Sequence, residues 1–246
     1  MPSPVCMPEH KGGIYSKVSM NGMNEESIRA EPYVQRTLKR IGDVVGAIVL
    51  LIILTPVFLL ISICIKLTSR GPVFFVQDRL GYLGSTFKII KFRTMVDRAW
   101  EKGTGLYVTA NDQRITGLGR MLRVLHLDEL PQVLNIVRGE MSFVGPRPTV
   151  PYHYDYYEEW EKKRLDMLPG ITGWAQINGG NSIDWDERIK LDVWYVRDWS
   201  LRLDFYILTM TGVHVLQRIR KKKRDGYSSD GPVWKRERPD SVKPDA

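Results

Sequence analysis

The longest departure from mixed polarity along the chain is the run from Val44 to Ile65, 22 residues without a charge, rich in Ile, Leu and Val and closed by Asp43 and Lys66. As a helix, roughly 20 residues at ~1.5 Å rise cover the ~30 Å of a bilayer's hydrocarbon, so the run is long enough to span. A soluble core helix would carry a polar face, which this run lacks. It begins more than forty residues into the chain and no small-residue cleavage pattern follows it, which argues against a signal peptide. Pro56 removes a helix donor near the middle and favours a kink, with Thr55 able to re-bond a freed carbonyl. Arg36, Lys39 and Arg40 precede the run while Lys66, Arg70 and Arg79 follow it, so both flanks carry the positive charge that marks cytoplasmic ends. On these grounds two readings stand equal: a chain that bends and leaves by the face it entered, and an ordinary spanning helix with a tolerated proline.

The remainder reads as shorter elements. Residues 1 to about 35 combine Pro, Gly, Ser, Met and charge without apolar periodicity and predict a flexible tail. After Gly71-Pro72, the segments VFFVQDRLG and TFKIIKFRTM predict two short strands around a Gly81/Gly84 turn. Helices are expected over Ile115 to Leu134, Tyr152 to Met167 and Trp185 to Val196, separated by the break-rich stretches Gly139 to Pro151 and Pro169 to Gly180. Residues 201 to 219 predict an amphipathic helix that runs into RKKKR at 220 to 224. It suits an anionic membrane surface, or equally a C-terminal core helix with a solvated basic tail. The fold class expected is α+β, mainly helical, with a small β-hairpin.

Composition narrows the partner. At 246 residues, 43% hydrophobic and 26% charged, the chain supports one sizeable core. A formal charge of +8 calls for an anion: nucleic acid, an acidic membrane surface or a phosphorylated substrate. Cys6 and Cys64 lie in unlike surroundings without zinc or redox spacing, which reads as a reducing compartment with no disulfide.

Candidate chemistry concentrates in LHLDELPQVLNIVRGEMSFVGPRP, Leu125 to Pro148. Neighbouring helical residues diverge by ~100°, so Asp128 and Glu129 cannot duplicate one another. One carboxylate attacking phosphorus while the other holds a divalent cation is the sensible division of labour. An adjacent Asp-Glu pair is also common on solvated helix faces. Here it is bracketed by Arg114, Arg120, Arg123, Arg138 and Arg147, and phosphoryl transfer needs such cations. Arg147, stiffened between Pro146 and Pro148, suits a preset bidentate phosphate contact or a turn-closing ion pair. Lys88, Lys91 and Arg93 alternate along the second strand and are expected to place like charges on one face, toward a diphosphate or toward water. His126 lacks a partner at metal-ligand spacing, and Asp184, Asp186, Glu187 and Asp192 offer further carboxylates, most of them at the surface. No Walker motif, nucleophile elbow, HExxH or GxGxxG is present, so kinase, protease and dinucleotide readings lose their support. No base-reading helix or aromatic stacking platform supports nucleic-acid binding.

The motifs KRIGDVVGAIVLLIILTPVFLLISICIKL, GPVFFVQDRLG, FKIIKFRTM, LDELPQVLNIVRGEMSFVGPRP, PGITGWAQING and LDVWYVRDWSLRLD, in that order, resemble the bacterial sugar transferase family of polyprenyl-phosphate hexose-1-phosphate transferases, the monotopic phosphoglycosyl transferases. The resemblance covers about Lys39 to Leu216 and corresponds to the short, catalytic-core form. It implies a re-entrant membrane helix over 36–67 broken at Thr55-Pro56, a cytosolic catalytic domain over 68–219 on the inner leaflet of the bacterial plasma membrane, and a basic flexible tail over 220–246. It also implies a ping-pong reaction in which Asp128 attacks a nucleotide sugar, by family default a UDP-sugar, and releases the nucleoside monophosphate. Polyprenyl phosphate, such as undecaprenyl phosphate, then takes the sugar phosphate to begin a surface glycan such as exopolysaccharide, capsule or O-antigen. Glu129 would hold Mg²⁺; Lys88 or Lys91, Arg93, Arg123 and Arg147 would contact phosphates, and Asp192 would join the site. Partners implied are anionic inner-leaflet lipids and no nucleic acid, with room for a homodimer. Where many relatives read Asn-Gly-Arg-Asn, this chain has Asn178, Gly179, Gly180 and Asn181, which removes an arginine from donor recognition. A non-catalytic, membrane-tethered interaction module is the competing expectation.

Overall fold

A computed structural model of the protein describes residues 31–97, 99 and 112–225; most of the two expected tails, 1–30 and 226–246, lies outside the described residues. The chain begins with helix α1, Glu31–Thr68, 38 residues and about 57 Å long. Partly or wholly buried positions 43, 47, 50, 51, 54, 57, 58, 61 and 65 recur at spacings of three and four, so one stripe of α1 packs on the rest of the protein. The opposite side, including Ile48, Ile52, Ile53, Leu59, Leu60 and Ile63, is exposed apolar surface. The helix is long and apolar enough to cross a membrane, and only 11% of its most apolar stretch is covered by protein. Pro56 sits inside one continuous helix where the resemblance implies a break. The reason is local: Pro56 forfeits only its own N–H, Thr55 Oγ1 donates to Leu51 O at 2.8 Å, and Leu50, Leu51, Val57 and Phe58 pack on the protein on either side.

Strands β1, Phe74–Leu80, and β2, Thr86–Phe92, form the expected antiparallel hairpin, in register Phe74↔Phe92 through Leu80↔Thr86. That register corrects the expectation of a single cationic face. Lys88 and Lys91 are three residues apart on a strand of period two, so they point to opposite sides. Lys88 meets its cross-strand neighbour Asp78 at 3.1 Å in solvent, while Lys91 lies on the face carrying Phe87 and Ile89. Those two pack with Ala47, Val133, Ile136 and Met141. Arg93, just beyond β2, is buried and donates to Ser69 O, Ser69 Oγ and Arg70 O at 2.7–2.9 Å. It ties the end of α1 to the hairpin.

The expected helix over Ile115 to Leu134 is split. Helix α2, Gly117–Val124, is capped by Thr116, whose side chain accepts from Gly119 N. Gly119 is required here: a Cβ would lie 1.9 Å from Thr94 O. His126 takes a left-handed conformation, φ 54, and a 3₁₀ turn over Leu127–Glu129 leads through Pro131 into helix α3, Gln132–Arg138. Gly139, φ 89, closes α3. Strand β3, Ser142–Val144, then lies in a region read from sequence as breaks. The expected helix from Tyr152 to Met167 is a 3₁₀ turn over Pro151–Tyr156, a short helix α4, Glu159–Lys162, and a second 3₁₀ turn over Lys163–Leu165. Strand β4, Gly170–Thr172, pairs parallel with β3, followed by helix α5, Trp174–Ile177. Helix α6, Trp185–Arg197, matches its expectation within one residue, and helix α7 runs from Leu201 to Asp225, through the basic cluster. The architecture is mainly helical with two small sheets, and the apolar helix lies along it.

Candidate active site

Asp128 and Glu129 stand on the tight corner between α2 and α3. The flanking leucines decide their direction: Leu127 and Leu130 pack with Ile61, Ile65, Phe92 and Leu122 beneath the second half of α1. The two leucines of LDEL pack at the end of the apolar helix, and the partly buried acidic pair between them is thereby held beside it.

The two acids live in different environments. Glu129 Oε1 accepts from Lys91 Nζ at 2.7 Å and from Arg147 Nη2 at 2.6 Å, with Arg147 Nη1 reaching Oε2 at 3.3 Å. Burial by itself would raise its pKa, but the Arg147 and Lys91 charges outweigh that and hold the carboxyl well below its usual range. Asp128 makes no hydrogen bond among the described residues. Burial, then the neighbouring Glu129 charge, push its pKa up, against the opposing pull of Lys91, Arg123 and Arg147. Adjacent carboxylates with pKa values driven apart are the mark of divided roles. One acid is locked ionised among cations, and the other keeps its lone pairs uncommitted.

The cations come from four places. Lys91 belongs to the inner face of the hairpin, and burial lowers its pKa even though Glu129 supports its charge. Arg147 is presented by the Gly-Pro-Arg-Pro turn after β3; its neighbour Glu129 raises its pKa. Arg123, on the last turn of α2, is anchored through Nε to Thr94 Oγ1 at 2.8 Å, and its charge is felt at Asp128. The fourth, Arg79, was not singled out from sequence. It lies at the end of β1, where Leu80 N donates to Thr149 O at 2.7 Å and so brings the strand end against the Arg147 turn. That bond joins positions 69 residues apart, which strand periodicity cannot anticipate.

The other expected site residues fall outside this group. Lys88 and Arg93 are placed as described above. Asp192 is buried against Arg164, whose guanidinium also donates to the Tyr157 hydroxyl and to Arg147 O at 2.9 Å. Asp192 and Arg164 therefore act on the site through the backbone that carries Arg147. Arg188, one turn before Asp192 on α6, stacks over Trp185 at 5.1 Å. Gly180 has φ +53 and open space around it, so the position of the absent arginine faces outward from the backbone.

For a metal, the described residues contain no group of three or more His, Cys, Asp or Glu. Asp128 and Glu129 are the two hard oxygen donors available. That set fits Mg²⁺, which takes one or two carboxylates and completes its shell with water and substrate phosphates, and does not fit a closed structural metal site.

Carboxylates of unequal character ringed by Lys91, Arg123, Arg147 and Arg79 define a centre for handling phosphorylated substrates. Comparison with known proteins agrees. The chain belongs to the bacterial sugar transferase family, whose profile matches residues 34–218, and it is an enzyme. It is 45% identical over 179 residues to the uncharacterized sugar transferase EpsL of Bacillus subtilis, spanning 73% of this chain and 87% of that protein. It is 41% identical over 187 residues to the exopolysaccharide production protein ExoY of Rhizobium meliloti, spanning 70% and 83%. The UDP-glucose:undecaprenyl-phosphate glucose-1-phosphate transferase of Escherichia coli is 40% identical over 202 residues, 78% of this chain but 43% of that longer protein.

Proposed function

We propose that this enzyme transfers a hexose 1-phosphate from a UDP-sugar to undecaprenyl phosphate at the cytoplasmic face of the plasma membrane, as a first step of exopolysaccharide or related glycan assembly. The observation that carries the reading is the placement of the Asp128–Glu129 corner, with its surplus of cations, on Leu127 and Leu130 against Ile61 and Ile65 of the apolar helix. A reaction between a water-soluble donor and a lipid acceptor needs its phosphate chemistry at such a boundary. The names of the glucose-1-phosphate transferase and of the exopolysaccharide protein among the relatives supply the substrate class.

In this mechanism the Asp128 carboxylate attacks the sugar-bearing phosphorus of the donor. A bond from Asp128 Oδ to phosphorus forms, the bond to the bridging oxygen breaks, and uridine monophosphate departs with the electron pair. An oxygen of undecaprenyl phosphate then attacks the same phosphorus, displaces Asp128 and returns it as a carboxylate. Arg147, Lys91 and Arg123 hold the phosphate oxygens and spread the developing charge. Glu129 is the carboxylate that would hold Mg²⁺, and the ion would supply charge neutralisation for the departing phosphate.

Re-entry of α1 belongs to the same proposal. Near its start, Lys39 bonds Asp204 at 2.6 Å and Asp43 accepts from Phe143 N at 3.2 Å, and near its end Ile61 and Ile65 pack on Phe92 and Leu122. A helix that spans the bilayer leaves its two ends on opposite sides, whereas one charged domain contacts both ends here; re-entry would require the continuous helix to bend on membrane insertion, with Pro56 the favoured point.

The test is release of uridine monophosphate from a panel of UDP-sugars by membranes holding the protein, Mg²⁺ and undecaprenyl phosphate. One donor should give Mg²⁺-dependent release, and Asp128→Asn should lower it at least about 10³-fold while staying in the membrane fraction. Wild-type release by that variant would sink the reading.

A further inference from the structure

The buried and half-buried arginines of this protein are compensated very unequally. Arg114 is paired with Asp112 at 2.6 Å and donates to Ala99 O. Arg164 has Asp192, the Tyr157 hydroxyl and Arg147 O. Arg93 has three oxygen acceptors at the end of α1, although its Nε, like that of Arg79, is buried without a partner. Arg79 stands apart: its one hydrogen bond among the described residues runs from Nη2 to the neutral Oε1 of Gln77 at 2.7 Å, and its Nε is sealed from solvent with no partner. Its nearest charges are Arg147, which repels it, and Glu129, which is already shared between Lys91 and Arg147. A guanidinium placed beside a second guanidinium, with one neutral acceptor and an idle donor, is expensive unless an anion completes it.

We propose that Arg79 is a substrate-binding residue of this site, taking phosphoryl oxygens beside Arg147; the proposal rests on the phosphotransfer reading above and adds to it a residue that the sequence motifs left unassigned. The hairpin aims it. Gln77 and Arg79 share the face of β1 that also presents Lys91 from β2, and the Leu80 to Thr149 bond docks that end of the strand on the Arg147 turn. The fork geometry of a guanidinium suits two oxygens of one phosphate, with Gln77 fixing its plane. Burial, reinforced by Arg147, brings the Arg79 pKa down to about 10, as expected of a cation whose counter-charge arrives with a ligand. Arg188, also with a buried unpaired Nη2, carries less weight, because Asp192 and the Trp185 ring already face it.

Phosphoryl oxygens reach this site from two sources, the nucleotide sugar and the polyprenyl phosphate, and the two half-reactions separate them. The full-length protein in phospholipid nanodiscs would be compared as wild type, Arg79→Gln, Arg79→Lys and the exposed control Arg197→Gln, which removes the same charge elsewhere on the surface. Inorganic pyrophosphate should protect wild type and the control from thermal unfolding, and do so at concentrations at least tenfold lower than for Arg79→Gln. Slowed nucleoside monophosphate release without acceptor assigns Arg79 to the donor; normal release with slowed turnover of the phosphosugar enzyme assigns it to the acceptor. Arg79→Lys keeps the charge without the fork, so it should fold and still lose several-fold, which carries the test should Arg79→Gln fail to fold. Protection and both half-reactions within twofold of wild type in Arg79→Lys and Arg79→Gln would overturn the proposal while leaving the phosphotransfer reading intact. Loss of release from every donor with pyrophosphate protection preserved would sink that reading and leave the anion site standing.

Discussion

Two clusters of buried charge lie within this protein, and they differ in which charge is in surplus. At the first, Asp204 accepts from Lys39 Nζ and Tyr195 OH, each at 2.6 Å, and from Trp199 Nε1 at 3.1 Å, and Lys39 spends a further proton on Val144 O. Lys39 meets two carboxylates, Asp204 directly and Asp43 at 3.9 Å, neutral donors occupy the remaining lone pairs of Asp204, and the group pins α1, β3, α6 and α7 together. At the second, Asp128 and Glu129 face four cations, Asp128 is without a hydrogen bond among the described residues, and the Arg147 side chain is 46% exposed. Burial of charge alone therefore does not mark the site. What separates a brace from a reaction centre is an excess of positive charge and donors that only a ligand can satisfy.

The sharpest way to break this comparison is at the brace. Asp204→Ala removes the direct ion pair of Lys39 and the short bond of the Tyr195 hydroxyl, leaving both with Val144 O and Lys39 with the more distant Asp43. Breaking one side of a buried ion pair costs about 3–5 kcal/mol. Denaturant unfolding in detergent should show a loss of that order. A loss under about 1 kcal/mol would mean the cluster is not bracing α1.

Glu129→Gln should behave in the opposite way. It removes a buried carboxylate along with its desolvation cost, and Arg147, already half in water, can turn outward, so the stability change should be about 1 kcal/mol or less. Transfer should fall about 10²–10³-fold, the usual effect of deleting one electrostatic group from a reaction centre. Should unfolding free energy fall as far as for Asp204→Ala, Glu129 is a brace after all.

The same contrast explains what the sequence could reveal. The acidic corner was legible because arginines bracket it and the stiff Pro146-Arg147-Pro148 turn follows, and α6 was legible because its apolar spacing is helical over thirteen residues. The single packed stripe of α1 was hidden, since a run that is apolar all round does not say which side meets protein. The split of the expected Ile115 to Leu134 helix turns on the left-handed His126, a conformation set by tertiary packing rather than by propensity. Arg93 and Asp192 carried the right chemistry for the site, and the sequence could not show that Arg93 also bonds the end of α1 and that Asp192 pairs with Arg164. Arg79 was passed over because strand alternation gives a side chain its face but not its neighbour across 69 residues.

The smallest expected effect tests the electrostatics of the corner directly. In the proposed mechanism Asp128 attacks only as a carboxylate, and its pKa is raised above the ordinary 3.8 by burial and by Glu129, so the acidic limb of kcat/KM should lie above that value. Arg123 pulls the Asp128 pKa downward, and its anchor to Thr94 keeps it clear of the Glu129 ion pairs. Arg123→Gln removes that pull, so the Asp128 pKa rises further and activity is lost at a higher pH as the solution is acidified. The plateau above the limb should fall less than in Glu129→Gln, because Lys91 and Arg147 remain. Uridine monophosphate release measured across the acid range would show the limb moving upward. A limb that stays in place, or moves toward lower pH, would mean that the ionising group is not Asp128, and the uncommitted carboxylate would lose its role as the attacking group.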